Sequence, residues 1–201
     1  MHGLRGWLVA GALGVACLAA CATRAPIPDA SSELHAEVAF SADGVPQGSY
    51  KLYDASGRLY ATGEFVNGRR EGLWTFWDPG GTKVVAITYH AGIKEGPCRM
   101  WFGSLAFPKL AGRLKLEVTF SKNRQEGLKR TWWASGELKC ETELRRGAVR
   151  SAQCWDARGK PRPAAEAAKT ARSDLADDTA YLQTLDEVVR ASMPRTPGTR
   201  Q

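Results

Sequence analysis

The stretch Phe65–Trp77, which reads FVNGRREGLWTFW, decides the fold of this chain. Asn67-Gly68 lies between two short runs rich in aromatic and aliphatic residues, and a second glycine, Gly72, follows four residues after the first. An Asn-Gly pair is typical of two-residue β-hairpin turns, because both residues accept a positive φ. The stretch therefore predicts a hairpin turn with a strand on each side.

The same pattern returns along the chain. The paired marks are Gly44…Gly48, Gly68…Gly72, Gly92…Gly96, Asn123…Gly127 and Gly147…Ser151, in steps of 24, 24, 31 and 24 residues. A second glycine series runs between them, at Gly57, Gly81, Gly112 and Gly136, and it stretches at the same place by the same seven residues. Two series do not shift together by chance, so the chain contains a true internal repeat with one insertion.

A unit of 24 residues has room for two strands of about six residues and their turns. We therefore predict an all-β fold, an elongated single-layer antiparallel meander of hairpin repeats over residues 36–160, with the insertion within residues 102–112. Two aromatic series keep the repeat register and are expected to form a buried spine. One is Tyr53, Trp77, Trp101 and Trp132, and the other is Phe65, Tyr89, Phe120 and, in weakened form, Leu144. The inserted loop carries Leu105 and Phe107. It is predicted either to expose apolar side chains to a partner or to fold back over the sheet as a small satellite core.

The segment Phe65–Trp77 resembles a MORN-type repeat, and is closest to the bacterial variant described as antitoxin-like. The resemblance covers about residues 40–159, or four to five units. The chain departs from the pattern at two positions. Lys129 stands where the unit has an aromatic residue, such as Trp74, and Ser151 replaces the second glycine. The resemblance implies a single-layer antiparallel sheet that serves binding rather than catalysis.

The first twenty residues have the pattern of a signal peptide. After Arg5, the uncharged run Gly6–Ala20 has the length of a signal-peptide core and is too short for a membrane-spanning helix. Leu18–Cys21 resembles a bacterial lipobox, which implies cleavage before Cys21 and palmitate-type acylation of that cysteine. An ordinary secretory leader that ends near a cysteine is the alternative. Ala22 favours the outer membrane, facing the periplasm.

The rest of the chain divides by composition. Residues 21–35 predict a tether, residues 164–192 an amphipathic helix without Gly or Pro, and residues 193–201 a disordered tail. The expected apolar face of the helix consists of Ala168, Ala171, Leu175, Thr179, Leu182, Leu185 and Val189. Asp174, Asp177, Asp178 and Glu187 are expected mostly elsewhere. The helix is predicted either to cap the array or to bind a partner.

The net charge is +7, and the excess of basic residues lies in the repeats. Basic residues at the predicted turn tips form a candidate cationic stripe: Arg69, Arg70, Lys94, Arg124, Arg145 and Arg146. Such a stripe suits an anionic lipid or an acidic protein. The alternative is that these residues only blunt the sheet edges. A predicted envelope location argues against a nucleic-acid partner.

Tryptophan is abundant, and a sugar-stacking platform is one interpretation of Trp74, Trp77, Trp101, Trp132, Trp133 and Trp155. The repeat register instead favours most of them as core. Trp133 is the exception, because Trp132 holds the register and alternation directs its neighbour to the opposite face. Trp133 is therefore the predicted exposed aromatic contact.

Cys140 and Cys154 are a candidate disulfide, because they lie seven residues on either side of Gly147. A one-residue bulge in that hairpin is expected to spoil the pairing. Cys98 occupies the register of Trp74 and is predicted to be a buried thiol. No Cys-x-x-Cys pair and no catalytic signature is present in the sequence, so we expect no metal, no cofactor and no enzymatic activity.

These patterns together predict a lipid-anchored envelope protein whose repeat surface recognises a protein partner. Two alternatives stay open. One is an antitoxin- or immunity-like neutraliser of a cognate protein, and the other is a sheet that docks on anionic lipid or on the cell wall.

Overall fold

The computed structural model describes residues 34–194, in which ten strands form one antiparallel sheet in the order of the sequence. The strands are β1 His35–Phe40, β2 Pro46–Tyr53, β3 Leu59–Val66, β4 Arg69–Trp77, β5 Lys83–His90, β6 Ile93–Trp101, β7 Leu114–Ser121, β8 Arg124–Trp132, β9 Leu138–Arg145 and β10 Ala148–Cys154. A three-residue 3₁₀ helix, Pro108–Leu110, lies between β6 and β7, and one α-helix, α1, follows the sheet at Ala164–Ala191. The predicted hairpin meander with one C-terminal helix is confirmed.

Several predictions fall partly or wholly outside the described residues. They are the signal peptide, the lipidated Cys21, most of the tether and the tail beyond Pro194. The predicted tether reaches one residue too far, because β1 begins at His35.

The turns that join β3 to β4, β5 to β6, β7 to β8 and β9 to β10 contain two residues each. In all four turns both residues have positive φ, as in Asn67 at 50° and Gly68 at 73°. This conformation matches the right-handed twist of the flanking strands. The first mark of the repeat is therefore the second residue of a tight hairpin turn.

The second mark glycine lies in a bulge within the following strand. Val66 pairs with Arg69 beside the turn, but Ala61 pairs with Phe76, so β4 uses seven residues where β3 uses five. Gly72 adopts a φ of 66° in this bulge, a conformation that favours glycine. Gly48, Gly96 and Gly127 likewise have positive φ in β2, β6 and β8.

The acidic or amide residue before each of these glycines fixes the turn of the next hairpin. Its side-chain oxygen accepts a hydrogen bond from the first turn residue. The four bonds join Gln47 to Asn67 at 2.8 Å, Glu71 to Ala91 at 2.7 Å, Glu95 to Lys122 at 2.7 Å and Glu126 to Arg146 at 2.5 Å. The repeated Glu-Gly dipeptide therefore connects neighbouring hairpins.

Helix α1 lies across one face of the sheet, which we call the covered face. Its buried apolar residues include Tyr181, Leu182, Leu185, Val188 and Val189, and they belong to the same core as the covered face. The sheet contributes Tyr50, Leu52, Trp74, Phe76, Met100, Leu116 and others to this core. The structure thus shows the helix capping the sheet, although Thr179, expected on its apolar side, is exposed.

Contacts along α1 follow the order of the strands. Near its start, the carbonyl oxygen of Ala167 lies 3.6 Å from the Cys154 sulfur in β10. Just past its end, the Ser192 hydroxyl lies 2.6 Å from the Tyr50 hydroxyl in β2. The helix therefore crosses the sheet from its last strands to its second strand.

The predicted aromatic spine is divided between the two faces of the sheet. One series is buried in the core, as predicted: Phe65, Tyr89, Phe120 and Leu144. The other series lies on the opposite face, and for it the prediction is wrong. The fully buried side chains of β4 are Trp74 and Phe76, while Trp77 is only half-buried. Side chains alternate along a strand, so Trp77 points away from the helix. The same holds for Tyr53, Trp101 and Trp132, each of which follows a buried residue in its strand.

The insertion between β6 and β7 folds back as a small satellite core. Phe102 is buried and packs edge-to-face on Phe107, with ring centroids 5.2 Å apart. The Ser104 backbone amide and hydroxyl both donate to Asp78, a buried carboxylate in the β4–β5 turn. Leu105 remains 57% exposed at the tip.

Candidate binding surfaces

The face of the sheet opposite α1, which we call the open face, carries a row of four aromatic side chains at the same repeat position. They are Tyr53, Trp77, Trp101 and Trp132, on strands β2, β4, β6 and β8. Neighbours in the row lie two strands apart, which is about 9.6 Å at the usual strand spacing. The Lys83 ammonium lies 4.2 Å from the centroid of the Trp101 ring, so one cation already stacks on this row.

A second row on the open face is aliphatic. The residue after each bulge glycine is Leu73 in β4, Pro97 in β6 and Leu128 in β8. Leu73 is 62% exposed and Leu128 is 44% exposed. Two exposed leucines at equivalent positions of one sheet face form a regular apolar feature that a partner is able to cover.

A ladder of charges connects four strands across the open face. Glu117 in β7 lies 3.9 Å from Arg99 and 3.4 Å from Arg130, and Arg130 donates to Glu141 in β9 at 2.8 Å. Cross-strand pairs of opposite charge of this kind hold long side chains in place on a sheet surface. The open face therefore combines ordered arginines with aromatic and aliphatic rows.

The predicted cationic stripe is not continuous. Arg69, Arg124, Arg145 and Arg146 are exposed at the turn edge. Arg70 and Lys94 instead lie beneath α1, because alternation points them to the covered face. The prediction of one exposed stripe is wrong for these two residues.

Asp186 of α1 receives both of these cations. Its carboxylate accepts from Arg70 at 2.6 Å and from the Tyr89 hydroxyl at 2.7 Å, and it also binds the Lys94 ammonium. Burial alone raises the pKa of such a carboxyl, but the charges of Arg70 and Lys94 outweigh burial and hold the pKa of Asp186 below its usual value.

Two more aspartates of α1 face the sheet. Asp178 binds Lys129 in β8 at 2.7 Å, and Asp174 binds Lys139 in β9 at 2.8 Å. The sequence-based expectation that Asp174 and Asp178 lie away from the sheet is wrong. Two features of the sequence indicated this arrangement. Asp174 and Asp178 are four residues apart, so they lie on the same face of the helix. Lys129 occupies the repeat position of Trp74, which places a charge on the face that contacts the helix.

Trp133 is not the exposed aromatic contact that alternation predicted. Strand β8 ends at Trp132, and Trp133 begins a turn in which its amide donates to the Glu137 carbonyl. The indole nitrogen of Trp133 donates to the Trp155 carbonyl at 3.1 Å, and Lys139 lies over the ring. Trp132, rather than Trp133, therefore contributes to the open face.

Cys140 and Cys154 form a disulfide, as predicted. The expectation that a bulge prevents it is wrong. Ala148 pairs with Arg145 beside the two-residue turn, and a one-residue bulge between Val149 and Ser151 then brings Cys154 opposite Cys140. Ser151 replaces the usual bulge glycine, and the shift here is one residue instead of two.

Cys98 is a free, buried cysteine, also as predicted, and burial raises the pKa of its thiol to about 12. His90 Nδ1 lies 2.9 Å from Glu71, at an exposed strand end. Over residues 34–194, no group of three or more His, Cys, Asp or Glu side chains is arranged to hold a metal ion. Within the same range, no helix is long and apolar enough to cross a bilayer.

Comparison of the chain with protein-family models and with curated proteins yields no match.

Proposed function

We propose that this protein is a lipid-anchored recognition module of the bacterial envelope, and that its open face binds a protein partner. Anchorage rests on the lipobox-like Leu18–Cys21, with cleavage before Cys21 and a tether leading to the sheet. The sorting signal suggested by Ala22 favours the outer membrane, facing the periplasm.

One observation carries the proposal. Among residues 34–194, the helix covers one face of a single-layer sheet and nothing covers the other face, which carries aromatic, aliphatic and arginine side chains in regular rows. Aromatic residues and arginine are enriched at protein interfaces. Tyrosine and tryptophan in particular bury large areas at little entropic cost. The resemblance to MORN-type repeats agrees with binding rather than catalysis.

The test is crosslinking mass spectrometry in intact cells, with tagged full-length protein. Leu73→Asp places a charge on the open face at a residue that is already mostly exposed. Leu105→Asp is the matched control, because Leu105 is also exposed but lies on the inserted loop. We expect Leu73→Asp to lose the dominant partner and Leu105→Asp to keep it. Loss with Leu105→Asp alone transfers the binding role to the loop.

A Cys21→Ala variant tests the anchor in the same experiment. We expect it to leave the membrane fraction. If it stays membrane-bound, the lipoprotein assignment fails. Tight stoichiometric binding that blocks one toxic partner is the result that favours the neutraliser alternative over a scaffold.

The aromatic row favours a second candidate function, docking on cell-wall glycan. Rings about 9.6 Å apart on one face present a separate stacking surface every two strands along an extended sugar chain. Sedimentation with insoluble cell wall measures this directly, and Trp101→Ala is expected to weaken it. Docking on anionic lipid has less support, since Arg70 and Lys94 are held beneath α1.

A further inference from the structure

We infer that the cavity between α1 and the turn edge of the sheet binds a free peptide C-terminus, through its carboxylate and its last amide group. This inference is independent of the proposed function, because it uses the covered side of the sheet and different residues.

The cavity has a volume of about 510 Å³ and opens where α1 passes the β7–β8 and β9–β10 turns. This size suits a small ligand of about two amino-acid residues. Phe120, Leu175 and Leu182 supply apolar lining. Asn123, Thr179 and Gln183 supply neutral polar groups. The cavity therefore offers contacts for both a small side chain and a backbone.

Gln125 is the central observation. It lines the cavity, its residue is only 3% exposed, and within residues 34–194 neither its Oε1 nor its Nε2 atom has a hydrogen-bond partner. A buried amide without partners costs free energy, and such groups in folded proteins usually have a ligand, a water or another side chain. The equivalent residues of β4 and β6, Arg70 and Lys94, both bind Asp186, whereas the Gln125 side chain in β8 has no hydrogen-bond partner among the described residues.

The charges around Gln125 define the ligand. Arg124 and Arg146 line the cavity and are exposed, whereas the charge of Lys94 is met by Asp186. Asp186 also lines the cavity, but its carboxylate is bound by both Arg70 and Lys94, so Arg124 and Arg146 leave the lining net positive. Guanidinium groups bind carboxylates in a bidentate geometry. A side-chain amide donates and accepts at once, which complements a peptide bond. A peptide C-terminus carries both a carboxylate and an amide, so one ligand is able to engage both kinds of group.

The test is calorimetric titration of the detergent-solubilised full-length protein with N-acetyl-Ala-Ala and with its C-terminal amide. We expect the free acid to bind at least tenfold more tightly than the amide. Equal binding of the two peptides, or binding of neither at millimolar concentration, overturns the inference. Inorganic phosphate is titrated in parallel, and phosphate binding as tight as that of the free acid overturns it in favour of a general anion site.

Variants separate recognition from folding. Gln125→Leu removes the amide without leaving a cavity, so the melting temperature is expected to stay the same or rise while peptide affinity falls at least tenfold. Arg124→Ala is expected to weaken binding similarly. Arg69→Ala is the matched control, since Arg69 holds the same repeat position in the β3–β4 hairpin and does not line the cavity. An equal loss with Arg69→Ala contradicts the inference, as does unchanged affinity in Gln125→Leu.

Discussion

Lys129 departs from the repeat pattern, and the ion pair that it forms with Asp178 explains the departure. Its side chain is 2% exposed in a register where Trp74 is the equivalent residue, and it reaches Asp178 at 2.7 Å. Removing one partner leaves a buried charge unpaired, which typically costs about 3–5 kcal/mol.

We therefore expect Lys129→Met to lower the free energy of unfolding by about that amount, whereas Lys129→Met combined with Asp178→Leu recovers most of the loss. Urea denaturation monitored by tryptophan fluorescence measures both. Lys139→Met serves as control, with a smaller loss of about 1 kcal/mol because its pair with Asp174 is more exposed. A double variant as unstable as the single variant contradicts the explanation.

Gly63 is required for a different reason. A β-carbon at this position overlaps the buried indole of Trp74, although the backbone of Gly63 has no positive φ. We expect Gly63→Ala to destabilise the protein by about 1–3 kcal/mol through overpacking. In the Trp74→Phe background the smaller ring leaves room, so the cost of Gly63→Ala is expected to fall. Equal costs in both backgrounds indicate that the indole is not the cause.

Asp186 predicts a pH dependence. Although burial favours the protonated form, Arg70 and Lys94 hold the pKa of its carboxyl below its usual value, so the folded state binds the proton more weakly than the unfolded state. The stabilisation is therefore present above the unfolded pKa and is lost as the pH falls through the folded pKa. We expect the difference in unfolding free energy between the protein and Asp186→Asn to shrink below about pH 4. A constant difference from pH 2 to 5 contradicts this expectation.

At the residue scale, the sequence predicted which positions repeat but not which way every side chain points. Trp74 and Trp77 both hold aromatic register, and they are three residues apart, so they lie on opposite faces of the strand. The paired aspartates of α1 were missed because an amphipathic pattern treats charge as solvent-exposed. Their partners come from strands that are distant in sequence, and only the folded chain brings them together.

The β9–β10 hairpin is the element that the disulfide closes. The bond joins residues 14 positions apart, and Cys154 also lies against the start of α1. A disulfide that closes a loop of this length restricts the unfolded chain and thereby stabilises the folded state by about 3 kcal/mol. We expect Cys140→Ala/Cys154→Ala to lose stability by that order, and reducing agent to destabilise the parent protein but not the variant. Thermal unfolding with and without reductant measures this.

Elements were predictable where local chemistry repeats. The two-residue turns that end in Gly or Asn and the bulge glycines determine hairpins from short stretches, so the strands and their order followed from the sequence. The insertion is less regular, and its packing depends on Asp78 in a different turn, 26 residues from Ser104. No local sequence pattern indicates that contact, so the sequence alone left open whether the inserted loop is exposed or folds back as a satellite core.

The whole molecule is a sheet whose width matches its helix. From Ala167 to Ser192 a helix advances about 37 Å at 1.5 Å per residue. The eight steps from β10 to β2 cover about 38 Å at about 4.8 Å per step. The sheet also twists, so the agreement is approximate, but it explains how one helix contacts both distant strands.

At this scale we expect truncation after Pro163 to expose the apolar side of the covered face. The buried cluster there includes Tyr50, Trp74 and Phe76 and packs directly on α1. The truncated chain is expected to bind a hydrophobic dye and to lose cooperative unfolding. A second arm adds a synthetic peptide of residues 164–192, which should restore the unfolding transition. Cooperative unfolding of the truncated chain by itself shows that the sheet needs no cover.

The bonds from Glu71, Glu95 and Glu126 to the next turn let hairpins be added one after another, so the sheet by itself sets no limit on duplication of a 24-residue unit. The helix sets a limit on that growth. An extra unit between β4 and β8 moves Arg70 away from Lys129 by about 9.6 Å. Asp178 and Asp186 then need about seven more helical residues between them, about two turns, to span this distance and stay on the same face of the helix. Repeat number in this protein is therefore coupled to helix length, and one change is compatible with a closed core only when the other accompanies it.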